Sequence, residues 1–166
     1  MNPDMINDMM RKHINARNRK QLKNKDFSLI ASNCNGCFLM HDLGVRFNTP
    51  TVNLWIEPGD FIKFLQKLPH YLDTELTFID VPGIDYPVGL LDDIKIYFQH
   101  YHTPEEAKAK WIERSSRINF DNLFIMFTDR DGCTYQNLLD FEALPYKNKV
   151  VFTHIPYPEL SSAFYV

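Results

Sequence analysis

The chain has 166 residues, 45% of them hydrophobic and 23% charged, with a formal net charge of −3. That length fits one domain and buries roughly two-thirds of the unfolded surface, so the core needs no metal or disulfide staple. Aromatics at 14%, with ten Pro against six Gly, exclude a disordered polar chain, collagen, a coiled coil, a disulfide mini-protein and an integral membrane protein.

Residues 3–24 are predicted to be helical, with Ile6, Met10, Ile14 and either Arg17 or Leu22 near one stripe. Residues 27–31 form a short apolar run ending in Ser32-Asn33, the pattern of a buried strand that leads into a turn. Residues 38–43 read as a helix stopped by Gly44. After the Asn48-Thr49-Pro50 turn, residues 51–56 alternate like a strand. Pro58 opens a helix over 60–68 that Pro69 closes, with Phe61, Phe64, Leu65 and Leu68 on its core face. Residues 76–80 and 94–98 are further strands, the second preceded by Asp92-Asp93. Thr103-Pro104-Glu105-Glu106 starts a helix that runs to about Ser116 with Ala107 and Trp111 inward. Residues 123–127 are an uninterrupted apolar strand suited to a central, doubly covered position. A helix over 135–141 and a last strand over 149–153 complete the pattern. Strands alternating with helices predict an α/β fold, a three-layer α/β/α sandwich with a mostly parallel or mixed sheet.

Charge is unevenly spread. Residues 11–25 carry Arg11, Lys12, Arg17, Arg19, Lys20, Lys23 and Lys25 and no carboxylate. Removing those seven bases and the early Asp4 and Asp8 leaves residues 26–166 with 11 basic and 19 acidic side chains, a net of −8. The expected organisation is a basic N-terminal helix over 1–25 and one α/β domain over 26–166. The basic segment is either a solvated helix docked on the body or a contact for anionic lipid. Nucleic acid is not an expected partner, because the acidic body repels phosphates. No signal peptide is read in the first 25 residues, whose apolar stretch is interrupted, so the expected location is cytoplasmic, peripheral at the inner membrane face.

In open α/β sheets, ligands gather beyond the carboxyl ends of strands. The sharpest segment there is Thr128-Asp129-Arg130-Asp131-Gly132. Asp129 and Asp131 form a D-x-D suited to Mg²⁺ or Mn²⁺ and, through the ion, to the diphosphate of a nucleotide sugar. Arg130 between them suits a phosphate. The alternative is an Asp-rich turn whose carboxylates accept backbone N–H bonds and cap the next helix. Asn33 and Asn35, after the first strand, are candidate substrate binders. Asp92 and His100 are candidate bases for an acceptor hydroxyl, and His102, on the same side as His100 if the strand persists, is a second binder or metal ligand. His41 and His154 have no assigned place in this pattern. Cys34-Asn35-Gly36-Cys37 has C-x-x-C spacing after a strand, either redox-active, half of a zinc site, or structural thiols in a turn. No P-loop, dinucleotide fingerprint, nucleophile elbow or H-E-x-x-H motif occurs.

The series Ser32-Asn33-Cys34-Asn35-Gly36, Asn48-Thr49-Pro50-Thr51-Val52-Asn53-Leu54, Tyr86-Pro87-Val88-Gly89-Leu90-Leu91-Asp92-Asp93, His100-Tyr101, Glu105-Glu106-Ala107-Lys108 with Trp111, Arg117-Ile118-Asn119 and Thr128-Asp129-Arg130-Asp131-Gly132 resembles the DUF1919 family over roughly residues 27–158. Members often carry the label of exopolysaccharide or capsular polysaccharide biosynthesis proteins. The resemblance therefore implies a glycosyltransferase-like protein that acts on a nucleotide sugar or a polysaccharide precursor. Alternatives are a non-catalytic accessory protein at the membrane surface and a metal-assisted glycan hydrolase, which requires His100, His102, Asp92 and Asp129 to converge. Cys37 stands where the family usually has Gly, and family members tend to continue past Val166, so a C-terminal element is expected to be missing.

Overall fold

The structure, a computed structural model, describes residues 3–166; the side chain of Ile6 lies outside the described residues. In chain order the elements are α1 (Pro3–Gln21), β1 (Ser28–Ala31), α2 (Asn35–Leu43), α3 (Pro58–Gln66), α4 (Leu68–Asp73), β2 (Thr77–Ile79), β3 (Val88–Leu91), β4 (Ile94–Tyr97), α5 (Pro104–Ser115), a 3-10 turn (Phe120–Asn122), β5 (Leu123–Thr128), α6 (Tyr135–Ala143), β6 (Lys149–Thr153) and β7 (Ala163–Tyr165). The fold is α/β. Its strands divide into two sheets, a parallel one in the order β1-β5-β6-β7 and an antiparallel one in the order β2-β3-β4.

The strand alternation of β5 explains the layering. Leu123, Ile125 and Phe127 point into the large core, where Phe127 stacks between Phe61 of α3 (5.5 Å between ring centres) and Phe141 of α6 (5.2 Å). Met126 points the other way, into a smaller core with Leu29, Ala31 and Met40 of α2. The two faces are unequally covered: Phe127 is 1% exposed, whereas Phe124 on the opposite face is 39% exposed. On that second face α2 covers β1, and an apolar groove of about 630 Å³ opens over Phe124, Met126, Val150 and Phe152.

The segment 51–56, predicted as a strand, makes only one bridge, Trp55 to Tyr97. Its buried alternation of Val52, Leu54 and Ile56 has another cause. The segment straps the two sheets together: Thr51 Oγ1 accepts from Ala31 N at 3.1 Å and Ile56 N donates to Ser32 O, while the Trp55 ring stacks on Tyr97 at 4.1 Å. Asn53, in the left-handed region at φ 59°, breaks any regular ladder. Pro69 likewise does not end a helix but occupies the first turn of α4, where its missing N–H costs nothing. Around α5 the expected cap is present: Thr103 accepts from Glu106 N, and Ala107 and Trp111 are buried.

Helix α1 docks by its polar side. Arg11 pairs with Asp42 at 2.8 Å, and Arg19 donates to the carbonyls of Asp42 and His41 at the C-terminal end of α2, where a cation complements the helix dipole. Met9, Met10 and Ile14, of the predicted apolar stripe and its neighbour, are exposed instead of packed against the body.

The last strand is fastened by one carboxylate. Glu142 at the end of α6 accepts from the backbone N–H and hydroxyl of both Ser161 and Ser162. Partial burial works to raise its pKa, but these hydrogen bonds prevail and lower it to about 2. A depressed carboxylate stabilises the fold above its unfolded pKa, and that stability is lost as pH falls through the folded value. Discounted for solvent screening, the contribution is on the order of 1–2 kcal/mol. Wild-type urea midpoints should therefore fall more steeply between pH 4.5 and about 2 than those of Glu142→Gln.

Candidate active site at the carboxyl edge of the parallel sheet

β1, β5 and β6 run parallel, so the residues that follow them emerge on one edge. Asn33 follows β1, and its amide donates to Thr128 Oγ1 at 2.9 Å while its carbonyl oxygen accepts from Asn35 N at 3.2 Å. Asp129 follows β5, and its backbone N–H donates to Phe152 O of β6. His154 follows β6. Its backbone N–H and its Nδ1 both donate to Asp129 Oδ2, at 2.8 and 2.5 Å.

This pair has a definite chemical polarity. A carboxylate can only accept, so the proton of the neutral ring sits on Nδ1 and the lone pair is left on Nε2. The Asp129 side chain is 8% exposed and the His154 side chain 74%, so a shielded anion orients an imidazole that reaches solvent. The Asp129 charge also acts on Cys133, whose thiol is pushed up to about 11, chiefly by burial and secondarily by that anion. Arg130 is exposed beside the pair, and Asp131 follows in the left-handed region at φ 60°, exposed, with Gly132 at φ 82° completing the turn. The carboxylates do not cap α6; Thr134 and Asn137 do so in a reciprocal box.

Asn33, Asn35, Asp129, Arg130 and Asp131 thus share one edge of the parallel sheet, as the strand-end rule predicts. The other candidates lie elsewhere. Asp92 occupies the two-residue turn between β3 and β4 at φ 53°, with its carboxylate 3.4 Å from His70 Nε2 of α4. Its neighbour Asp93 accepts from Tyr71 and Lys63, so the acidic pair ties the hairpin tip to α3 and α4. β4 ends at Tyr97, and the turn that follows carries His100 and His102, both exposed, out of strand alternation. His102 N donates to Glu106 Oε2. The convergence required for a metal-assisted hydrolase is absent: Asp92 sits against α4, and Asp129 is engaged by His154. Among the described residues, no three His, Cys, Asp or Glu side chains are grouped to hold a metal ion.

His154, like His41, has no place in the sequence pattern. Its only signal was its position just after a strand end, one place beyond the predicted 149–153 run. What gives it a partner is the β5–β6 pairing, in which Thr128 lies opposite Phe152.

A sequence model of a domain of unknown function, DUF1919, matches residues 5–166. An uncharacterized protein of Haemophilus influenzae is similar at 47% identity over 161 residues, covering 97% of this chain and 78% of that protein. Among the described residues, no helix is long and apolar enough to cross a membrane.

Proposed function

The chain belongs to the DUF1919 family, and from that premise we propose a glycosyltransferase-like enzyme of bacterial surface-polysaccharide biosynthesis that works at the carboxyl edge of its parallel sheet. The observation that carries this reading is the Asp129–His154 pair beside Arg130. In the proposed mechanism, Nε2 of His154 takes the proton of the acceptor hydroxyl, and Asp129 stabilises the imidazolium that forms. Arg130 grips the leaving diphosphate of a nucleotide sugar, and the second N–H of the Asn33 amide is available for a sugar hydroxyl. His154 takes the part expected of Asp92 or His100.

A Mg²⁺ or Mn²⁺ ion, when bound, would supply charge neutralisation at the diphosphate. The donors fit such an ion only sparsely. Asp129 Oδ2 is taken by His154, leaving Oδ1 and the exposed Asp131 carboxylate. Sites for a metal–nucleotide commonly take their remaining ligands from substrate phosphates and water, and two carboxylate oxygens suffice as an anchor.

A second reading, an accessory protein at the cytoplasmic membrane face, draws on α1. That helix spends Arg11 and Arg19 on α2 and leaves Met9, Met10 and Ile14 exposed, as are Arg17 and Lys20. Anionic lipid is the partner such a face suits. Calorimetry with Mn²⁺ and a panel of nucleotide sugars, paired with co-sedimentation on phosphatidylserine vesicles, separates the two. Enzymatic function predicts nucleotide-sugar binding that weakens at least tenfold in Asp129→Ala. Vesicle binding abolished by Arg17→Glu with Lys20→Glu, with no nucleotide-sugar affinity, selects the accessory reading.

A further inference from the structure

Cys34 and Cys37 hydrogen-bond to Leu54 and Asn53, not to the Asp129–His154 pair. Cys34 is the residue that caps α2 and Cys37 lies in its first turn. Side chains three apart on a helix are neighbours, with Cβ atoms about 5–6 Å apart, against the 3.5–4.5 Å of a disulfide. A small shift of the first turn therefore closes the gap; Cys34 makes no side-chain cap bond, and at the helix start Asn35 N donates to Asn33 Oδ1. Gly36, between the cysteines, presses this turn against β1: a Cβ there would lie 2.4 Å from Ala31 Cβ.

Both thiols engage the strap between the sheets. Cys34 Sγ donates to Leu54 O at 3.7 Å, and Cys37 Sγ donates to Asn53 Oδ1 at 3.3 Å. The same strap is held at Val52 O by Tyr101 Oη, which in turn accepts from Arg114 at 2.5 Å. The two cysteines differ in access. Cys37 lines a cleft of about 800 Å³ whose walls carry Arg11, Lys12 and Arg19 of α1 together with Asp8 and Asp42, whereas Cys34 faces the strap. Burial raises both thiols, while the Arg114 charge draws Cys37 back down and a charge on Cys37 raises Cys34 further.

We propose that Cys34 and Cys37 form a reversible dithiol–disulfide couple that exchanges with small disulfides reaching Cys37 through the cleft beside α1, and that its oxidation releases the strap over residues 51–54. In the exchange, the Cys37 thiolate attacks one sulfur of the small disulfide and expels one small thiolate. The Cys34 thiolate then attacks Cys37 Sγ, closing the protein disulfide and expelling the second small thiolate. Two electrons pass from the protein to the small disulfide, and the two protons leave with the expelled thiols. The disulfide form has no S–H donor, so Leu54 O and Asn53 Oδ1 lose their partners in one event.

The test is equilibration of the full chain across graded ratios of reduced to oxidised glutathione, followed by alkylation and peptide mass spectrometry. The expected result is a peptide containing Cys34 and Cys37 that has lost two hydrogens, with Cys133 alkylated throughout. Amide exchange over 51–54 should be faster in the oxidised form, and Cys34→Ser should trap a glutathione adduct on Cys37. Alkylation of both cysteines at every ratio overturns the proposal, as does a disulfide that pairs either of them with Cys133. In the wild-type chain, which needs no substitution to fold, an oxidised pair with unchanged exchange over 51–54 overturns the release of the strap.

Discussion

His154→Ala should lower the release of nucleoside diphosphate from the cognate nucleotide sugar by about 10²–10⁴-fold, the range that a positioned general base contributes. Substrate affinity by calorimetry should change little, because in the proposed mechanism the ring acts on the acceptor proton while Arg130 holds the donor. Asp129→Asn is the sharper variant. Because His154 N and Nδ1 both donate to Asp129 Oδ2, an amide keeps its oxygen at that position and holds the ring, but it brings no charge to stabilise the imidazolium of the proposed mechanism. A loss smaller than that of His154→Ala is therefore expected, and it isolates the charge because the side chain keeps its size and its hydrogen bonds. Asp131→Asn, with its exposed carboxylate in the turn, leaves the base intact and should act only on metal dependence. Full turnover in His154→Ala would remove the base from this site.

Much of the scaffold is visible in the sequence because local chemistry decides it. The Thr103-Pro104 start of α5, the Gly44 stop of α2 at φ 66° and the apolar run of β5 each depend on a few neighbouring residues. Long-range pairing is what local pattern does not carry. Residues 51–56 alternate like a strand because two sheets enclose them, yet Thr49 and Thr51 hydroxyls and a left-handed Asn53 take the place of a ladder. β3 was hidden for a related reason. Pro87 and Gly89 weaken the strand pattern, but Gly89 is required where Leu76 and Phe98 approach to within 2.7 and 2.8 Å of a notional Cβ.

The candidate site divides along the same line. Asn33, Asp129 and Arg130 were legible because a parallel strand end is a local prediction with a global consequence. Asp92 and His100 have suitable chemistry, but one belongs to a hairpin tip and the other to an exposed turn, positions that only the strand pairing reveals. His154 needed the register of β5 against β6, 25 residues away from Asp129 in the chain.

That register also governs the last prediction, since the two faces of β5 should respond very differently to the same truncation. Phe127→Ala removes a ring that bridges Phe61 and Phe141, with no exposed rim through which the site can relax. A cost of about 3–5 kcal/mol is expected, close to the range for buried Phe truncations, and a fall in Tm of roughly 10 °C. Phe124→Ala, three residues earlier on the opposite face, loses an edge contact to Phe27 at 5.7 Å and less burial than Phe127, since Phe124 is 39% exposed. Its cost should stay near 1 kcal/mol. Urea unfolding of both variants with unchanged m values makes the comparison direct. Equal costs would mean that the groove over Phe124 is closed in solution, and the asymmetry between the two faces of the sheet would fall with it.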